Sequence, residues 1–255
     1  MAEKATNQLH QLLAVEPSLR NNAKNIFFEE AKTTLEKKQD HFDGLQKIYV
    51  AMEEGSDQIP PEMKEIVTTV ADKINYAKEA VIKALDAEIS KEETNASGTV
   101  KAELVIDGKS FELSATSLMV LERNLENIRG VYKVIPTLDP TKNWEKDTKA
   151  GDNLYKTDEE VKYRTAKKNM PLVLAPATDK HQAQVQIVTN DVQVGKYLTT
   201  YKSGRITPAQ KSILLARIDE LILAVKSAKA KANQAQVINK NIGEELFNFI
   251  NKEVL

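Results

Sequence analysis

The stretch RTAKKNMPLVLAPATDKHQAQ, residues 164–184, places Arg164, Thr165, Lys167 and Lys168 before a short apolar run and His181 and Gln184 after it. A second cluster, YKSGR at 201–205, adds Lys202, Ser203 and Gly204. A guanidinium forks onto phosphate or carboxylate oxygens, ammonium groups add charge, and hydroxyl, amide and imidazole groups add directed hydrogen bonds. These nine residues are therefore the candidate site for an anionic ligand, a nucleotide or RNA.

Local charge supports that choice. Residues 161–211 hold nine Lys and Arg against two Asp, whereas the whole chain has a formal charge of −1. The excess is regional, so recognition of an anion must be regional too. The ordinary alternative is that lysines protect a sheet edge or pair with acids elsewhere in the fold.

Other chemistries find less support. The chain has no cysteine, which excludes disulfides, thiolate catalysis and cysteine-ligated metals. It has no glycine-rich phosphate loop, no H-E-x-x-H and no G-x-S-x-G. His10, His41 and His181 lie in three distant segments and read as independent polar residues, not a metal set. Acidic pairs such as Glu29-Glu30 and Glu159-Glu160 read as solvated surface. His181 with Asp179 or Asp191 has the types of an acid–base pair, but no motif supplies a nucleophile. The single Trp144, near Tyr155, suits a stacking surface or, by default, the edge of a core. The expectation is a binding protein that is not an enzyme, without a cofactor.

At 255 residues, 41% hydrophobic and 29% charged, the chain can bury a sizeable core. No apolar run approaches the ~18–20 residues that span a bilayer, and Met1-Ala2-Glu3-Lys4 leads into amide-rich sequence; a cytosolic protein with no membrane partner is expected. Glu16-Pro17 reads as a helix start. A long helix is expected from Met63 to Ser90, on the stripe Ile66, Val70, Ile74, Ala77, Val81, Leu85 and Ile89. Asp107-Gly108 marks a hairpin turn, Leu118 to Tyr132 recur at helical period, and residues 144–206 read as several short strands. Thr207-Pro208 opens a helix of about 25 residues.

The predicted class is α+β: long amphipathic helices packed with a predominantly antiparallel β region in the C-terminal half. Residues 1–233 form one domain in this reading, and 234–255 an amphipathic helix whose stripe of Ile242, Leu246, Phe249 and Ile250 contacts other copies. A homo-oligomer is the expected partner state. A scaffold without a small ligand, and a hydrolase or transferase centred on His181, are the alternatives.

Segments in order along the chain, among them NQLHQLLAVE, SLMVLERNLENIRGVYKVIPTLDPTKNW, YRTAKK, PATDKHQAQ, DVQVGKY and YKSGRITPAQKSILLARIDELILAVKSAKAKAN, resemble an uncharacterised family of bacterial and phage proteins, a domain of unknown function. The resemblance covers roughly residues 7 to 233, leaving the last helix as an addition. It departs at Gln182, where the pattern favours proline, and at Tyr197, where it favours tryptophan. It implies no activity. Its phage members suggest a part in host–phage conflict or RNA metabolism.

Overall fold

The computed structural model describes residues 9–52, 58–177 and 181–233. The chain divides into two compact units, Met1–Glu16 with Leu85–Glu126 and Ile218–Leu255, and Pro17–Ala84 with Asn127–Arg217. The class is α+β, with antiparallel sheets and most strand residues in the C-terminal half. The expected contact residues Ile242, Leu246, Phe249 and Ile250 lie outside the described residues.

Helix α1 (Leu9–Ala23) continues through a π-helical stretch, Lys24–Ala31, into α2 (Lys32–Lys37). Pro17 lies within α1 and does not open it, which corrects the sequence reading. Proline forfeits one main-chain N–H there, and the helix-forming residues on both sides carry the helix past it. Ala23, Phe27, Ala31 and Leu35 recur every four residues and are all buried. That spacing drifts around an α-helix, and the wider π turns compensate the drift and keep the four on one face.

Helix α3 (Val70–Asn95) starts later than the stripe suggested, because Thr69 caps it. The Thr69 hydroxyl accepts the N–H of Asp72 at 3.0 Å and donates to its carboxylate at 2.7 Å. Upstream, Glu62–Lys64 forms a strand, β2, so Ile66 does not belong to the helix. In the Pro17–Ala84 and Asn127–Arg217 unit, α3 contributes Val70, Ala77 and Val81 to a core with Phe27, Leu35, Phe42, Val131 and Ile135.

In the other unit, β3 (Lys101–Ile106) and β4 (Lys109–Ser114) form the expected hairpin. Asp107 and Gly108 take φ of 48° and 74°, the left-handed pair that a two-residue turn requires. Ala102 and Leu104 share the inward face and pack with Leu118 of α4 (Ala115–Lys133) and with Val225, Ala228 and Ala232 of α5 (Pro208–Ala232). Thr207 and Gln210 form the capping box of α5: the Gln210 N–H donates to the Thr207 hydroxyl at 3.1 Å, and the Thr207 N–H to the Gln210 amide oxygen at 2.8 Å.

The larger sheet consists of β1 (Asp43–Ala51), β2, β5 (Trp144–Lys146), β6 (Tyr155–Thr157), β7 (Glu160–Ala175) and β8 (Gln184–Ser203). Strand β8 is its spine. One edge pairs with β1 along Gly195–Ser203; the other pairs with β7 and, at Lys202 and Ser203, with β6. The expected short strands after Asp158 are therefore two long ones, whereas the one around Tyr155 is short as expected. Pro171 does not end β7, and Gly195 does not end β8 but sits beside a bulge at the Arg164/Thr165 register shift. Among the described residues Tyr155 is the one buried hydrophobic side chain that this sheet supplies.

Candidate functional site

Alternation along β1 and β8 sets the site. Asp43, Leu45, Lys47 and Tyr49 share one face, opposite Ser203, Tyr201, Thr199 and Tyr197 in register. Lys64 of β2 is opposite Leu45 on that face. The loop from α4 to β5 brings in the rest. Asp139 accepts the N–H of Thr141 at 2.9 Å and its hydroxyl at 2.7 Å, a local turn. The bonds from the Thr141 N–H and then its hydroxyl hold the Asp139 carboxyl below the usual range. Trp144 donates its indole N–H to the Asp139 carbonyl at 2.8 Å, which fixes the ring. Lys142 stands over the ring of Tyr201, 2.9 Å from its centre.

These residues enclose a cavity of about 360 Å³ lined by Asp43, Gly44, Leu45, Lys64, Asp139, Lys142, Trp144, Tyr201, Lys202, Ser203 and Arg205. That is within the size range of small-molecule sites, ~300–1,000 Å³. Four bases face two carboxylates, and the carboxylates are committed. Asp43 pairs with the Arg205 guanidinium and accepts from the Ser203 hydroxyl at 3.1 Å. Among the described residues no ion pair joins Lys64, Lys142 or Lys202 to an acid. The cavity therefore presents two aromatic rings and three lysines outside any direct ion pair, four bases in all against the two carboxylates, with the Lys142 charge acting on Asp139.

Of the nine residues singled out from sequence, only Lys202 and Ser203 line this cavity. Ser203 is buried and serves the fold as well, since its hydroxyl accepts the Arg205 N–H at 3.2 Å. Gly204 is a packing residue: a Cβ there would meet the Thr69 Cα at 2.9 Å. Its N–H donates to the Phe42 carbonyl at 2.8 Å. Arg164 is opposite Gly195 on β8, seven residues from Lys202, on the order of 24 Å along the strand. On β7, Arg164 and Lys168 share one face, while Thr165 and Lys167 share the other. Gln184 pairs with Ala175 on the order of 35 Å beyond Arg164, and exposed His181 is near the same distal end. The nine do not converge on one site. Four of the expected short strands join into β7 and β8, which carries them apart, and only pairing across β1 and β8 assembled the cavity.

Sequence reasoning missed Lys64, Lys142 and Tyr201 as lining residues and gave Trp144 a core by default. The legible signal was LDPTKNW, where an Asp turn precedes a lysine and an indole. Lys64 had no signal, because its strand was read as helix.

A family model described as a family of unknown function, DUF7873, matches residues 6–253. The chain belongs to this family. No curated protein and no solved structure matches it. The DUF7873 match runs past Asn233, so the C-terminal segment falls within the family's span and is not an addition to it. Among the described residues of this DUF7873 chain, no helix is long and apolar enough to cross a membrane. No group of three or more His, Asp or Glu among them is placed to hold a metal ion.

Proposed function

We propose that this DUF7873 protein is a binding module for a nucleotide, free or as part of RNA, and that the ligand occupies the cavity between β1, β8 and the α4–β5 loop. The observation that carries the reading is the combination of Trp144 and Tyr201 with three lysines that lack described acidic partners. A base stacks on Trp144 and, as Lys142 swings from the Tyr201 ring onto the phosphate, on Tyr201 too. Arg205 is held by Asp43 and contributes shape more than free charge. Binding without chemistry fits the cavity, since Asp43 and Asp139, the carboxylates among its described lining residues, are occupied by internal bonds.

Trp144 is the only tryptophan, so its fluorescence reports on this cavity alone. Titration with adenosine or uridine monophosphate is expected to quench it saturably. The Lys64→Ala, Lys142→Ala double variant is expected to bind at least about tenfold more weakly, since one charge-assisted bond is worth roughly 1.5–3 kcal/mol. Its melting temperature should stay close to that of the parent. Absence of quenching, or quenching that the double variant retains in full, removes the proposal.

Self-association is a second reading. The β7–β8 ribbon exposes Met170, Leu172, Val173, Leu174, Val185 and Ile187, and a two-stranded ribbon is marginal alone in water. A second copy covering it would bury those side chains. Light scattering is expected to report an oligomer that Leu172→Lys with Ile187→Lys converts to a monomer; a monomeric parent dismisses this reading.

A further inference from the structure

We infer that the cavity is one end of a track for single-stranded nucleic acid, with a second subsite at Tyr49 and Tyr197 on the same face of the sheet. The inference rests on the nucleotide reading above and extends it to a substrate class.

Tyr197 precedes Tyr201 by four residues on β8, so both rings emerge on one face, roughly 13–14 Å apart. That separation matches the rise of about four stacked nucleotides at ~3.4 Å each. Tyr49 is directly opposite Tyr197 on β1, and the two ring centres are 5.1 Å apart at 52°. A smaller cavity of about 110 Å³ opens beside them, closed by Ile59 and Pro60. The second pair of rings therefore borders an open space, as the first does.

Cations accompany this pair too. Arg164 is 5.6 Å from the centre of the Tyr49 ring, and Lys47 is 4.9 Å from that of Tyr197. Lys162 is opposite Tyr197 on β7. The described acids nearby are Glu62, which pairs with Lys47 at 3.4 Å, and Asp158, Glu159 and Glu160, which line a separate cavity with Lys142 and Tyr201. Cations thus flank both pairs of half-buried rings, Lys64 and Lys142 at one end and Lys162 and Arg164 at the other, with Glu160 between them opposite Thr199. A base that stacks on these rings displaces Lys47 and Arg164 from the ring faces onto its phosphates, a swing that long side chains can make, and only unpaired bases have faces free to stack. A duplex hides those faces.

The test compares full-length protein with adenosine monophosphate and with RNA and DNA adenylate trimers and hexamers, read by Trp144 quenching and by anisotropy of an end-labelled hexamer. The hexamer is expected to bind at least tenfold more tightly than the mononucleotide, with a steeper loss of affinity on added salt. Tyr197→Ala should abolish the gain with length, and Tyr197→Phe, which keeps the ring, should restore it. Preference between the RNA and DNA hexamers tells whether a 2′-hydroxyl is read. A hexamer that binds no better than the mononucleotide overturns the track and leaves the cavity reading intact. Failure of every probe to bind overturns both.

Discussion

Replacing Glu93 with alanine is expected to cost about 2–4 kcal/mol of folding stability at neutral pH and to flatten its acid dependence. Glu93, near the end of α3, holds the start of α4 through one oxygen. Its Oε1 accepts the N–H of Ser114 at 2.7 Å and the hydroxyl of Ser117 at 2.5 Å. Ser114 in turn donates its hydroxyl to Ser117 at 3.0 Å, and both serines are buried. Lys101 approaches the other oxygen at 2.8 Å. Alanine would strand a buried N–H and a buried hydroxyl, each worth roughly 1–3 kcal/mol when unsatisfied.

Burial alone raises the Glu93 carboxyl, but the bonds from Lys101, then from Ser117 and Ser114, outweigh it and bring the pKa from 4.5 to about 2. A depressed carboxylate stabilises the fold above its unfolded pKa and loses that contribution as pH falls through the folded one. The window is therefore between about pH 5 and pH 2, with a contribution on the order of 2–3 kcal/mol. Urea unfolding of parent and Glu93→Ala should show a gap that narrows across this window. Glu93→Gln keeps the acceptor and loses the charge, so its deficit should be smaller and should vanish at the acid end. A gap that is the same at pH 7 and at the acid end refutes the assignment.

Gly195→Ala is expected to destabilise the sheet by about 1–3 kcal/mol, and Tyr49→Ala is expected to relieve most of that loss. A Cβ at position 195 would fall on the hydroxyl and Cζ of Tyr49 and 2.6 Å from its Cε2. The ring cannot yield cheaply. Its hydroxyl donates to the Val194 carbonyl at 3.3 Å, and its faces meet Tyr197 and Arg164. Glycine is required here for close approach, beside the bulge where β8 leaves β1 and continues with β7 alone. Four proteins, the parent, each single variant and the double, form a thermodynamic cycle read by chemical unfolding. A coupling energy near zero would show that the ring is displaced at no cost. Ligand binding adds a second readout: Gly195→Ala should lose the affinity gain with oligonucleotide length, since the second pair of rings would be broken.

Much of the fold was legible because it is set by local rules. The left-handed pair Asp107-Gly108 fixes the β3–β4 hairpin whatever packs on it. The Thr207 and Gln210 box starts α5, and the 3-and-4 spacing of Leu118, Leu121 and Leu125 marks α4. Local rules failed where a competing one applied. Pro17 reads as a helix start and Pro171 as the start of a short strand, but helix-forming neighbours carry α1 past the first and pairing with β8 carries β7 through the second. Ile66 extended an apolar stripe past the cap that stops it.

The sequence by itself determined the class, the cysteine-free chemistry, the family and a basic bias between residues 161 and 211. These depend on composition, order and short-range periodicity, which the chain carries without folding. Tertiary structure alone decided which cations share a surface. Strand pairing joins residues 43–51 to 195–203 across more than half the chain and brings Lys64, Lys142 and Trp144 to the same place, while Gln184 is carried far off along the ribbon. The side-chain face of a strand reverses with every residue, so charge counted along a sequence cannot say on which side of a sheet it will lie.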